Sequence, residues 1–314
     1  MINSTQVSYF ILAAYFDTRV FKYFSFLIIM SLYVLIICSN LLLIVVICTN
    51  RSLHEPMYVF LCSLFVNELW GSTGLFPFLM VQILSDIHTV SRYFCFLQIF
   101  SVHSYANNQF FTLTVMSFDR YLAICDPLHY NTRMTFHRVS VLIAVIWLYP
   151  FIAILLIVAL SSSLQLCGNV INKVYCDNYS IVKLACSDTN IINIYGLIAT
   201  FFTVFGLVVS IIYTYVRILQ VCFSGSKQTR QRAVSTCTPH LTSLLNFSFG
   251  SLFEIVQSRF NMNGVHPMLR IFLSLYFLTC QPLFNPVMYG LKMSKIRIAC
   301  KRLMLCSVVK KESG

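Results

Sequence analysis

The chain alternates long apolar stretches with short polar ones, and seven stretches are long enough for a helix to cross a membrane. The hydrocarbon core takes about 20 residues of helix. The stretches cover roughly 24–49, 57–84, 94–118, 139–160, 191–216, 233–257 and 271–291. The first, fourth and fifth contain no charged residue, whereas the sixth carries His240, Asn246 and Glu254 and is the least apolar. No internal repeat, linker or low-complexity segment divides the chain. The pattern therefore predicts an all-α membrane protein in one domain, 1–314: an extracellular amino terminus (1–23), a seven-transmembrane-helix bundle (24–291) and a cytoplasmic tail (292–314). The tail mixes basic and apolar residues over 292–306, which predicts a short amphipathic helix along the membrane after the seventh span.

Composition strengthens this reading. Hydrophobic residues make up 58% of the chain and charged residues 10%, against about 25% charged in soluble domains, which must offer water a polar skin. The net charge of +12 raises nucleic-acid binding, which needs clustered cations beside stacking aromatics. Here the aromatics lie mostly inside the apolar runs, and the basic excess has another explanation: it collects on cytoplasmic loops and sets orientation. Fifteen of the 22 Lys and Arg, among them Arg51, Arg120, Arg133, Arg138 and the seven in the tail, fall on one side of the seven spans. That side is cytoplasmic. Asn3-Ser4-Thr5, an N-glycosylation acceptor, then faces the lumen. Residues 1–22 lack the basic, apolar, small-residue progression of a cleaved signal, so the first span is expected to serve as an uncleaved one.

Among 13 cysteines, Cys95, Cys167, Cys176 and Cys186 lie on the outer side, in an oxidising compartment. Four cysteines allow three pairings, and the residues alone leave the choice open. Cys300 and Cys306 follow the last span, where palmitoylated and free thiols are both in keeping with the pattern.

Ionisable and polar groups inside the membrane are costly and call for a reason. Glu68, mid-way along the second helix, could coordinate a cation, take a proton, or hydrogen-bond to Asn40 and Asn285 as a staple between helices. Asp119, Arg120 and Tyr121 end the third helix on the cytoplasmic side, where the acid and base read as a capping ion pair. Pro282, Asn285, Pro286 and Tyr289 share the last span. Proline removes a backbone hydrogen bond there, and Asn285 is expected to satisfy a freed carbonyl, as a bendable joint or a static kink.

Several stretches resemble odorant receptors, a rhodopsin-like G-protein-coupled receptor family. They are Leu53-His54-Glu55-Pro56-Met57-Tyr58, the third-helix end from Met116 to Cys125, the sixth-helix start from Ala233 to His240, and Pro282 to Tyr289 in the seventh. The resemblance covers nearly the whole chain. It implies a receptor rather than an enzyme, an odorant and a heterotrimeric G protein as partners, and disulfides Cys95–Cys176 and Cys167–Cys186. It places the G-protein contact around Arg120, Pro127, Thr236 and His240. Glu68 stands where the family usually has Asp, and Gln109 where many members have Glu. His103 and Ser258-Arg259-Phe260 resemble the fish-type, class I branch, in which the matching arginine faces acidic odorants. A guanidinium fits a carboxylate with two hydrogen bonds, which makes Arg259 the leading ligand contact.

A ligand cavity between helices is mostly apolar with a few convergent polar groups. His103, Asn107, Asn108, Tyr195, Phe249, Phe253, Glu254, Gln257 and Tyr276 are the candidates, with Glu254 placed to meet a ligand ammonium. Together with Arg259 it would suit a zwitterion such as an amino acid. Rival classes lack their signatures in this sequence. A transporter needs paired broken helices, and an intramembrane enzyme needs a nucleophile with its base or a metal-ligand cluster. The seven His are scattered without such spacing, so no cofactor and no metal are expected. The expected setting is the plasma membrane of olfactory cilia, with signalling through a stimulatory G protein that raises cyclic AMP.

Overall fold

A computed structural model describes residues 7–15, 21–187, 189–224, 227–259 and 267–312. In chain order its elements are β1 (Tyr9–Leu12), α1 (Lys22–Thr49), α2 (Pro56–Leu84), β2 (Thr89–Ser91), α3 (Arg92–Cys125), α4 (Tyr130–Arg133), α5 (Phe136–Ser162), β3 (Val170–Ile171), α6 (Asn178–Val182), α7 (Asn190–Ser224), α8 (Lys227–Arg259), α9 (Pro267–Lys292) and α10 (Ser294–Glu312).

Seven of these helices, α1, α2, α3, α5, α7, α8 and α9, have 26 or more residues. At 1.5 Å per residue even the shortest reaches about 39 Å, more than the thickness of the hydrocarbon core. Length and apolarity together single out four among the described residues: Lys22–Thr49, Pro56–Leu84, Phe136–Ser162 and Gly196–Ser224. The polarity of α3 has a structural reason. It packs against α2, α5, α7 and α8, so Ser104, Asn108, Gln109, Thr112 and Ser117, all fully buried, face protein and not lipid. On α1, α5 and α7, by contrast, large apolar residues such as Leu35, Leu156 and Phe201 lie exposed, as a lipid-facing surface requires.

The helices begin where the sequence supplies caps. Pro56 opens α2 at a position where no helical N–H is needed. Ser91 and Thr135 accept the Phe94 and Arg138 amides at the starts of α3 and α5. Close contact between α2 and α3 depends on glycine: a Cβ on Gly71 would stand 2.5 Å from the Tyr105 ring. Any larger residue would push the helices apart.

The all-helical expectation needs one correction. Three short strands form a sheet in the order β2-β1-β3. β1 pairs antiparallel with β2, with Phe10 opposite Val90, and parallel with β3, with Ile11 opposite Val170. Its burial alternates strictly, Phe10 and Leu12 inward and Tyr9 and Ile11 outward, but all four residues are apolar. The period of two is therefore invisible in a hydrophobicity pattern. Phe10, Leu12, Val90 and Ile171 join Cys95, Phe96, Ile99 and Cys176 in one apolar cluster, so the sheet caps one end of the bundle. That end is called the sheet end below; α10 marks the tail end.

Candidate functional site

At the tail end, Asp119 is fully buried at the foot of α3. One carboxylate oxygen takes both the Nε of Arg120, at 2.9 Å, and a terminal guanidinium nitrogen. The other accepts the Tyr130 hydroxyl at 2.7 Å from α4. The sequence reading expects the acid–base pair; the tyrosine is new, eleven residues away with no local pattern to mark it. Burial, and after it the Asp119 charge, pushes the Tyr130 phenol well above its usual range, so it stays a donor at neutral pH. His240 on α8 bonds to the Leu113 carbonyl of α3 at 2.9 Å and to the Tyr215 hydroxyl of α7, tying the three helices together about two turns above Arg120. Tyr121 packs 6.1 Å from the Tyr213 ring, and Pro127 lies in the turn after α3. The Thr236 side chain lies outside the described residues.

In mid-bundle, Glu68 is fully buried and its carboxylate accepts three hydrogen bonds: from Tyr105 Oη at 2.8 Å, Gln109 Nε2 at 2.8 Å and Asn285 Nδ2 at 2.6 Å. α2, α3 and α9 meet at this one group. Asn285 in turn accepts the Ser243 hydroxyl at 2.7 Å, which brings in α8. Of the two partners expected for Glu68, Asn285 is present and Asn40 is not. Asn40 donates instead to the Pro282 carbonyl at 2.8 Å. Pro286 has no N–H, so the helix leaves that oxygen without its usual donor four residues on. The freed carbonyl is thus satisfied from α1, and not by Asn285, which Glu68 and Ser243 already engage. Tyr289, one turn further, is buried against the edge of Phe65.

At the sheet end, the segment after β3 brings a charged group into the bundle. Lys173 is only 9% exposed, and its Nζ stands 2.5 Å from Glu254 of α8 and 3.4 Å from Asp177. Tyr175 donates to the same Glu254 oxygen at 2.6 Å. Asp177 caps α6 and lies 3.9 Å from His103 Nε2 on α3. Burial alone would lower the Lys173 pKa, but Asp177 and Glu254 more than offset it and hold it above the usual lysine value. Burial would likewise raise Asp177; Lys173, His103 and the Ser180 bonds outweigh it and leave the carboxyl below its ordinary value. Lys173 therefore stays cationic and Asp177 anionic, an ionic bridge between the loop, α3 and α8.

Disulfides hold the loop in place. Cys95, in the first turn of α3, joins Cys176, and Cys167 joins Cys186, with Cα separations of 5.4 and 4.9 Å. The Cys176 amide also donates to Gln98 Oε1 at 2.8 Å. Lys173, Tyr175 and Asp177 flank that cysteine, a nearness in sequence that could have drawn attention to them.

The remaining pocket candidates spread along α3, α8 and α9. Asn107 donates to the His103 carbonyl at 2.9 Å, Gln257 to Ser274 at 2.6 Å, and Tyr276 to Asn246 at 2.5 Å, with the Phe249 ring edge-on to Tyr276. Phe253 is half-buried on α8. Asn108 is fully buried with neither amide atom hydrogen-bonded to protein, a group that gains from any polar partner. The Tyr195 and Arg259 side chains, Asn3 and the Cys306 side chain lie outside the described residues.

Comparison with known proteins agrees with this arrangement of parts. A family model described as olfactory receptor matches residues 29–307. Human olfactory receptor 11A1 is 34% identical over 308 residues, which span 96% of this chain and 95% of the relative. Human olfactory receptor 6N1 is 33% identical, covering 96% of both chains. Mouse olfactory receptor 6E1 is 32% identical, covering 95% of both.

Proposed function

This chain belongs to the olfactory receptor family, so it is a multi-pass plasma-membrane receptor for odorants that signals through G proteins and is not an enzyme, and we propose that its odorant is a small amino acid or carboxylic acid. The observation that carries the ligand class is the buried Lys173 held between Glu254 and Asp177. A ligand carboxylate can replace either acid at Lys173, and a ligand ammonium can take the acid so released. Arg259, at the end of α8, supplies a second cation. His103, Asn107, Asn108, Tyr195, Phe253, Gln257 and Tyr276 then line the pocket, and the two disulfides keep its roof in register.

In this reading the single domain crosses the membrane seven times, through α1, α2, α3, α5, α7, α8 and α9, with the sheet end outside, Asn3 glycosylated and α10 lying along the inner surface. Activation is a population shift in which the odorant binds the active arrangement better. Exchange of partners at Lys173 and Glu254 moves α8. The tail ends of α7 and α8 then part, Arg120 leaves Asp119, and Thr236, His240 and the Pro127 turn meet the G protein. Asn285, Pro286 and Tyr289 let α9 bend in the same step. Glu68, with three donors, acts as the polar staple at the centre. The G protein is the stimulatory type that raises cyclic AMP, in the cilia of olfactory neurons.

The test is a screen of amino acids, carboxylic acids and amines on cells expressing the chain, with cyclic AMP as the readout. Carboxylate ligands should activate, and Lys173→Gln and Arg259→Ala should each shift the dose–response at least tenfold with surface expression retained. Activation by uncharged odorants alone, unchanged in both variants, would rule out the charged ligand.

A further inference from the structure

At the tail end a groove of about 890 Å³ opens on the side of the bundle between the last turns of α3 and the first turns of α5. It lies well away from the odorant site and from the Glu68 staple. Its volume falls within the range of about 300–1,000 Å³ that small-molecule sites occupy. Apolar and basic residues both line it, with Met134 beside Arg133. Phe118 and Leu122, one turn apart on α3, and Val141 on α5 form an apolar wall. Phe118 and Val141 are 43% and 47% exposed, so this wall faces whatever surrounds the bundle. Arg133, His137 and Arg138 form the other end. Arg138 and Val141 are three residues apart on one helix face, so the cationic end sits one turn beyond the apolar wall.

The charges at that end are available to a ligand. Arg133 reaches Asp126 at 3.2 Å, but its side chain is half exposed. Among the described residues no carboxylate pairs with Arg138, whose guanidinium donates to the Arg133 carbonyl at 3.1 Å. That bond leaves most of its fork unused, and the planar fork matches phosphate oxygens. The whole lies at the start of α5, where the helix dipole also favours an anion.

We propose that this groove binds an anionic phospholipid of the inner leaflet. The headgroup phosphates sit on Arg133, Arg138 and His137, and one acyl chain runs along Phe118 and Val141, with Leu122 buried behind them. The proposal uses the orientation given above, which puts this end at the cytoplasmic surface, where the anionic lipids are. An amphiphile is the one occupant that satisfies both halves of the groove: a free phosphate leaves the apolar wall uncovered, and a zwitterionic lipid leaves the cations without net charge to neutralise. The wall belongs to the foot of α3, next to Asp119 and Arg120, so a bound lipid also bears on the helix end that is released during signalling.

The full chain, purified in mild detergent, would be titrated with phosphatidylinositol bisphosphate, phosphatidylserine, phosphatidylcholine and soluble inositol trisphosphate, with native mass spectrometry reporting occupancy. The two anionic lipids should bind at least tenfold tighter than phosphatidylcholine. Each arginine removed should cost about fivefold, so Arg133→Gln with Arg138→Gln should lose about 25-fold, while Arg138→Lys keeps most of the affinity. Val141→Ser should weaken lipid but not inositol trisphosphate. Thermal unfolding of each variant identifies any that fails to fold, and Arg138→Lys then carries the comparison. Equal binding of all three lipids, indifference to the arginine variants, or inositol trisphosphate binding as tightly as the lipids would overturn the proposal. Odorant-evoked nucleotide exchange, measured on the same samples, tests the receptor reading separately. Failure of one measurement leaves the other standing.

Discussion

The side-chain amide of Asn40, on α1, donates to the backbone carbonyl of Pro282, on α9, across 2.8 Å. Two residues 242 positions apart thus repair a defect that a third creates, since Pro286 cannot supply the helical donor. The repair lies in the buried core, where an unpaired carbonyl has no water to turn to. It leaves Asn285 free to serve Glu68 and Ser243.

Replacing Asn40 by Leu keeps the size and removes the donor. The expected cost is about 1–3 kcal/mol, the penalty for a buried polar group left unpaired. Thermal unfolding in detergent should show it as a lowered midpoint, while Asn40→Asp, which also lacks the donor and adds a charge, should be worse. A Leu variant as stable as the parent would mean that this bond contributes nothing.

Tyr130 should restrain Arg120 through Asp119. Tyr130→Phe removes one hydrogen bond worth about 1–1.5 kcal/mol, so ligand-independent nucleotide exchange should rise about five- to tenfold. Arg120→Ala should instead abolish the odorant-evoked cyclic-AMP signal with surface expression intact. An unchanged basal rate in the first variant, or a full response in the second, would remove that residue from the switch.

The ionic bridge at the sheet end has a pH window with a definite sign. Asp177 is held below its ordinary value, so its contribution is complete above about pH 4, the unfolded carboxyl value, and fades as pH falls through the folded one. Lys173 is held above its ordinary value. Its contribution is complete below about pH 10.4 and fades as pH rises further. Amide exchange in residues 173–180 should therefore be slow from about pH 4 to 10 and accelerate, relative to the intrinsic rate, on the acid side first. Lys173→Met leaves two partly buried carboxylates facing one another and should cost about 3 kcal/mol. Exchange that follows the intrinsic rate across the acid range would show that the bridge does not hold the loop.

Gly71 permits the close approach of α2 and α3, because a Cβ there would stand 2.5 Å from the Tyr105 ring. Gly71→Val should destabilise by about 1–3 kcal/mol through overpacking. The same variant should displace the Tyr105 hydroxyl from Glu68. Combining it with Tyr105→Ala should recover part of the lost surface expression, since the space becomes available. No recovery in the double variant would locate the damage elsewhere.

The long apolar helices α1, α2, α5 and α7 were legible from the chain alone, because lipid acts on each helix separately and leaves its demand in local composition. Four long motifs were equally legible, and with them the family. Glu68 and the Asp119–Arg120 pair stood out because a charge in an apolar run is conspicuous wherever the helix points. Which groups answer those charges was decided only in three dimensions. Tyr105 and Gln109 reach Glu68, Tyr130 reaches Asp119, and Lys173 reaches Glu254, through rotations and tilts that emerge when all the helices pack at once. β1 was hidden for a related reason: with four apolar residues in a row, its in–out alternation exists only once β2, β3 and the bundle give it two different sides.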